Sequence, residues 1–317
     1  MSGAAVVLVR PGRLAPPPTY AWRVTSEPLT LMAVHAHPDD EAIGTGGILA
    51  RYAAEGVRTV LVTCTDGSCG DGPGGVKPGE PGHDPDEVAR MRTVELQRSC
   101  EALGVHALEQ LGYRDSGMMG WSDNHAPGAF WNMDVLEAAR PLIDLMRKHR
   151  PQVVVTYDAN GFYGHPDHIM AHRIAVVAAT ASGIPAKLYY TAVARSGLST
   201  FAEELRKAGI EPPAASDREE GRYAPAEVET AANADEGWDF GSPDILITTI
   251  VDVGDYTAAK RAALEAHGSQ AGNIFFLRLS EELFGRLFGA EMFIRAIDRT
   301  DAAVPETDLF AGVRPTS

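Results

Sequence analysis

Runs of aliphatic and β-branched residues alternate along this chain with stretches whose apolar positions recur at helical spacing. Two runs, Leu31-Met32-Ala33-Val34 and Val153-Val154-Val155, are apolar at every position, as are strands buried on both faces of a parallel sheet. The pattern predicts strands over residues 30–36, 57–64, 105–111, 152–157 and 187–193. Between them it predicts helices over 41–55, 84–103, 134–149 and 167–182. The first of these would turn Ile48, Leu49, Tyr52 and Ala53 inward. Asp84, Pro85 and Glu87 make a capping box at one helix start, and Gly104 stops that helix. Pro141 predicts a kink in the next.

This β–α alternation specifies an α/β protein, a parallel sheet with helices on both faces. Residues 30–195 would form its core. Residues 1–29 read as an N-terminal extension. Residues 196–300 read as a smaller C-terminal part that completes a cleft, with a strand at 244–251, helices near 254–267 and 280–288, and a last segment at 290–297. Residues 209–243, acidic and without periodicity, read as an irregular insertion, and 301–317 as a loose tail.

Composition narrows the partners. The 43 acidic and 28 basic residues give a net charge of -15, which opposes binding to nucleic acid or anionic membranes. The apolar stretch Ala4–Val9 is too short for a membrane span and lacks the basic start of a signal peptide. Three cysteines, Cys64, Cys69 and Cys100, suit a reduced cytoplasmic setting better than a disulfide framework.

The chemistry gathers at two strand ends. His37-Pro38-Asp39-Asp40-Glu41 follows the first apolar run, and His165-Pro166-Asp167-His168 follows the fourth strand. In parallel sheets ligands sit beyond the carboxyl ends of the strands, so both clusters would share one mouth. A catalytic zinc takes three His or carboxylate ligands and keeps a position open for water. His37, Asp40 and His168 supply such a set, and ferrous iron fits it too. Asp39 and His165 would remain beside the water. Either cluster alone would read as a capped turn, and it is their pairing that favours a metal. His172, one turn after His168, reads as a supporting or buried residue. Residues 66–83, rich in Gly and Pro, read as a lid or a surface connector. The Trp121–Trp131 loop, with Met118, Met119 and Phe130, would wall a substrate or pack as an Ω-loop. Gly44-Thr45-Gly46-Gly47 falls inside a predicted helix, which argues against dinucleotide binding.

The pair of clusters resembles the signature of the PIG-L/LmbE-type zinc deacetylases. The resemblance extends through Arg92-Thr93-Val94-Glu95, Leu111–Met118, Phe162-Tyr163-Gly164 and Lys260–Leu264 to His267 and Gln270, covering roughly residues 30–295. It is strongest toward the branch that deacetylates the mycothiol precursor or cleaves mycothiol conjugates. It implies a Rossmann-like fold, zinc on His37, Asp40 and His168, and Asp39 as general base. It further implies that His165 stabilises charge at the carbonyl or protonates the amine, with Asp167 orienting it. Tyr163 would swing toward the oxyanion, and Arg92, Asp115 and Met118 would hold the sugar. The implied substrate is a small N-acetylglucosaminyl conjugate such as N-acetylglucosaminyl-inositol. A mycothiol S-conjugate or a glycosylated secondary metabolite is the alternative.

Two other classes compete. A non-haem iron oxygenase shares the two-His, one-carboxylate set, but the β–α alternation opposes its usual all-β scaffold. A noncatalytic metal or sugar binder would not need Asp39, His165 and Tyr163 beside the metal.

Overall fold

The continuous apolar runs become the central strands of one sheet. The structure, a computed structural model, describes residues 28–210, 241–270 and 275–314. Most of the N-terminal extension, residues 211–240 of the expected insertion and the last three residues lie outside that range. The strands are β1 (Thr30–His35), β2 (Arg58–Thr65), β3 (Ala107–Tyr113), β4 (Val153–Thr156), β5 (Lys187–Ala192), β6 (Thr249–Asp252) and β7 (Ala290–Asp298). They lie in the order β3-β2-β1-β4-β5-β7-β6. The first five pair in parallel, whereas β7 runs antiparallel to both β5 and β6. The α/β reading holds, with a mixed rather than wholly parallel sheet. The C-terminal strands extend this sheet instead of forming a separate layer.

Side chains on a strand point alternately to opposite faces. Leu31, Ala33, Leu61, Val153 and Val155 therefore pack on one face, against helices α2 (Gly46–Ala54), α3 (Pro85–Leu103) and α8 (Thr257–Ala266). Met32, Val34, Val60, Val62 and Val154 pack on the other, against α4 (Val135–His149) and α6 (Pro166–Ser182); the short α5 (Gly161–Gly164) leads into α6, and α7 (Arg195–Lys207) and α9 (Glu281–Phe288) flank α8 in chain order. Both faces are covered, which is why these strands carry no polar alternation. Asp84 caps α3 by accepting from the Asp86 and Glu87 N–H groups, and Gly104 ends it in the left-handed region. Helix α4 runs on through Pro141.

Two expectations are corrected. The single helix over 41–55 is broken into α1 (Asp40–Gly44) and α2 at Thr45, whose φ is -143°. The Thr45 hydroxyl is drawn to His35 Nε2 at 2.8 Å and to the Glu41 carbonyl at 3.2 Å. The new N-terminus is capped by the Glu291 carboxylate, which accepts from the Gly47 and Ile48 N–H groups at 2.8 and 2.9 Å. Lys260 pairs with that carboxylate at 2.7 Å. Gly47 thus serves a close contact with the turn that follows β6: a Cβ on it would lie 2.5 Å from Val253 Cγ2.

The second correction concerns the tail. Leu309, Phe310 and Val313 are buried. Glu306 lies beneath them, accepting from Lys187 Nζ at 2.5 Å, Tyr189 Oη at 2.8 Å, Thr249 Oγ1 at 2.9 Å and Arg295 Nη1 at 2.8 Å. Its backbone also pairs with the outer edge of β6. A tail without periodicity can still be tied down by one buried charge.

Candidate active site

β1 and β4 are neighbours, and the chain leaves them toward opposite halves of the sheet: β2 and β3 lie beyond β1, β5 beyond β4. This is the switch point where an α/β sheet opens a crevice. The His37 cluster leaves β1 there and the His165 cluster follows β4.

On the β1 side, the His37 N–H donates to Asp40 Oδ2 at 2.7 Å, and His37 Nδ1 lies 3.3 Å from the same oxygen. Asp39, between them, has a φ of 119°, a conformation that costs a non-glycine residue roughly 1–3 kcal/mol and needs outside support. Part of that support is Arg92, buried beneath the turn. It pairs with Asp39 Oδ2 at 2.9 Å, donates to the Pro38 carbonyl and donates to the Gly67 carbonyl at 2.9 Å. Burial pushes the Asp39 carboxyl up to about 6, against the pull of Arg92. That lies within reach of neutral pH, where a general base works best.

On the β4 side, His165 caps α6, its Nδ1 accepting the Asp167 N–H at 3.1 Å. That bond leaves the proton of the neutral ring on Nε2. Burial holds the His165 pKa well below the usual imidazole value, so the ring is a neutral donor. His168, in the first turn of α6, brings Nε2 to 3.4 Å from Asp40 Oδ1. Ligand atoms of His37, His165 and His168 lie within 4.8 Å of one another, and Asp40 touches two of the three rings. Both ring nitrogens of His168 are buried without a hydrogen-bond partner. A buried nitrogen left unpaired in this way costs about 1–3 kcal/mol. The donor set of imidazoles and carboxylate fits a divalent cation, which would satisfy one of them.

Asp167 is placed differently from expectation. Its own N–H is bonded to His165, but its carboxylate turns to the β1 side, 3.3 Å from His37 Nε2, and accepts the Ser116 N–H at 2.8 Å. It orients His37 rather than His165. A carboxylate there holds a proton on His37 Nε2 and leaves Nδ1 on the side of Asp40. Asp115 is buried nearby. It accepts from the Gly117 and Cys69 N–H groups and lies 3.7 Å from His37 Nε2. Met118 is half-buried. Tyr163 stands at the mouth, 42% exposed, its ring 5.1 Å from that of His168 and 6.0 Å from that of His165. The preceding Phe162 has a φ of 67°, a second strained residue at the site.

The motifs left three supporting residues without a role. Tyr157 stacks on His168, with centroids 4.2 Å apart and planes at 14°, and its hydroxyl accepts the Ala36 N–H at 3.0 Å. Glu41 and His267 pair at 2.7 Å behind Asp39. Tyr157 closes an apolar run and Glu41 follows two acids, but only the sheet order shows what they touch. His172 bonds the Tyr157 carbonyl at 2.9 Å and packs on Tyr190, away from the cluster.

The first part of the glycine-rich loop is fixed at the site. Gly67 and Gly70 leave room for Arg92, and Gln270 brackets Asp71 by accepting its N–H and donating to its carbonyl. Residues 78–82 are largely exposed. The tryptophan loop is packed: Phe130 stacks on Tyr113, and Asn124 bonds the Ser116 and Met118 carbonyls.

Buried histidines and carboxylates gathered at the switch point of a doubly wound sheet equip this protein to hold a metal and to move protons. Residues 32–179 match the family described as PIG-L, GlcNAc-PI de-N-acetylase. The chain is 43% identical over 292 residues to a 1D-myo-inositol 2-acetamido-2-deoxy-alpha-D-glucopyranoside deacetylase of Acidothermus cellulolyticus, covering 90% of this chain and 95% of that one. It is 42% identical over 296 residues to the protein of the same name from Salinispora arenicola, covering 89% and 91%. The chain belongs to the PIG-L family, and it is a hydrolytic enzyme of the deacetylase class. Among solved structures, the N,N'-diacetylchitobiose deacetylase of Pyrococcus horikoshii has a TM-score of 0.51 at 22% identity, covering 84% of this chain and 83% of that one. The 4-carboxy-2-hydroxymuconate hydratase of Pseudomonas putida scores 0.53 at 16% identity, covering 87% and 99%. The fold therefore carries more than one reaction, and the site must specify which. Among the described residues no helix is long and apolar enough to cross a membrane.

Proposed function

We propose that this enzyme removes the N-acetyl group from an N-acetylglucosaminyl-inositol conjugate, with a divalent metal, zinc, held by His37, Asp40 and His168. The observation that carries the reading is the convergence of those three side chains beside Asp39, in a chain similar over nearly its whole length to deacetylases named for that conjugate. When bound, the metal supplies Lewis acidity: it polarises the amide carbonyl and lowers the pKa of a water from about 15.7 to about 7.

The remaining work falls to the protein. Asp39 accepts the proton of the attacking water, a role worth roughly 10²–10⁴ in rate. His165, neutral and protonated on Nε2, donates to the carbonyl oxygen as it gains charge. Tyr163 at the mouth adds a second donor, and losing one such donor costs about 10²–10³. The proton gained by Asp39 passes to the leaving amine, because a neutral His165 with a depressed pKa is a poor source of one. Asp115 and Met118 border the sugar, while Arg92 serves the site through Asp39. A cytoplasmic setting accords with three unpaired cysteines.

The test is acetate release from N-acetylglucosaminyl-inositol and from free N-acetylglucosamine, with bound metal quantified in the same sample. The reading expects zinc-dependent release that favours the conjugate. Metal-loaded protein that leaves the conjugate intact refutes the substrate.

A further inference from the structure

We infer that Glu41 and His267 are a positioning pair for the base Asp39, through which the C-terminal part of the chain serves the reaction without touching substrate. The inference rests on the role of Asp39 given above. The strained element is the peptide unit joining Pro38 to Asp39, and it is gripped at both ends. Its carbonyl accepts from Arg92, and its N–H donates to Glu41 Oε2 at 3.0 Å. Carbonyl and N–H point in opposite directions across a trans peptide, so two partners on opposite sides fix its rotation and hold Asp39 at positive φ. The Asp39 side chain itself caps no N–H group of the helix that follows.

Glu41 is itself fully buried and fully engaged. Its Oε1 accepts from Ser99 Oγ at 2.5 Å and from His267 Nε2 at 2.7 Å. His267 lies 226 residues away in sequence, at the end of α8, fully buried. Helix α8 also carries Lys260, the partner of Glu291. The same helix thus docks the C-terminal strands and steadies the turn that bears the base. With His267 gone, Glu41 retains Ser99 alone on Oε1 and gains freedom to rotate away from Asp39.

Three variants and one background test this. His267→Phe keeps a ring but removes the donor. His267→Gln places an amide N–H near the position of Nε2. Glu41→Gln keeps the volume but turns an amide NH₂ toward a donor in either orientation. A shift of about 1 Å in a catalytic group costs about 10²-fold. The expectation is therefore that His267→Phe and Glu41→Gln lower kcat roughly 10- to 100-fold, with KM and metal stoichiometry unchanged, and that His267→Gln restores most of the rate. In an Asp39→Asn background His267→Phe should change the rate less than about twofold, because the two residues act as one unit. A crystal structure of His267→Phe should show Asp39 departing from positive φ.

Full kcat in His267→Phe, an equal fold-loss in the Asp39→Asn background, or an unmoved Asp39 in the crystal would each overturn the inference. If Glu41→Gln does not fold, the His267 variants decide alone. The crystallographic readout needs no substrate, so absent acetate release counts against the proposed reaction and not against the pair.

Discussion

Arg92 separates two accounts of this site. The family resemblance makes it a sugar ligand, whereas the structure buries it against Asp39 and the carbonyls of Pro38 and Gly67. In Arg92→Met the Asp39 carboxylate loses its cation. Breaking a buried pair by removing one partner costs about 3–5 kcal/mol, a large share of a typical total stability of about 5–15 kcal/mol. Each backbone carbonyl left without a donor adds roughly 1–3 kcal/mol. That variant is expected to unfold at much lower urea. Arg92→Lys is more informative, since an ammonium keeps the charge but cannot fork to three acceptors. It should stay folded, with Asp39 released from its fixed position. Steady-state acetate release should then fall roughly 100-fold in kcat, with KM little changed. A tenfold rise in KM at unchanged kcat is the signature of lost uniform substrate binding. That result would return Arg92 to the sugar and refute this account of it.

Three further outcomes follow from the packing. Glu306→Gln should lower stability by about 3–5 kcal/mol in urea melts; an unchanged midpoint would mean the tail is not anchored by this charge. Gly47→Ala should cost roughly 1–3 kcal/mol by overpacking against Val253, read as a lower Tm, and an unshifted Tm would contradict the contact. Lys148, and then His149, hold the Glu109 carboxyl below its usual range, so its contribution is present above the ordinary glutamate pKa and disappears as pH falls through the lowered one. Because the pair sits at the surface, with Glu109 half-buried and Lys148 exposed, Glu109→Gln should cost under about 1 kcal/mol at pH 7, and the gap to wild type should close as the carboxylate protonates in acid.

The parts of the molecule legible in the sequence are those governed by local rules. Strands buried on both faces leave unbroken apolar runs, so β1 and β4 and the clusters that follow them could be read directly. The α3 cap and its glycine stop were equally local. What escaped was set by contacts distant in sequence. Nothing near Thr45 signals that Glu291 will start a new helix there, and nothing near Glu306 signals Lys187. The antiparallel course of β7 is likewise decided by where it inserts, between β5 and β6. At the site, residue types and spacing pointed to His37, Asp40 and His168, which the fold brings together. The partners of Asp167 and Arg92 depended on which way each side chain turned at an element's end. Glu41 and His267 were visible as motif letters, but their pairing required the position of α8.

Bound metal and acetate release, measured together in wild type, Asp40→Ala and Asp39→Ala, test the metal site and the base at once. One metal per chain is expected in wild type and in Asp39→Ala, with the latter slower by roughly 10²–10⁴. Asp40→Ala should lose metal and activity together. Metal retained at full stoichiometry in Asp40→Ala, or a nearly intact rate in Asp39→Ala, would contradict these assignments.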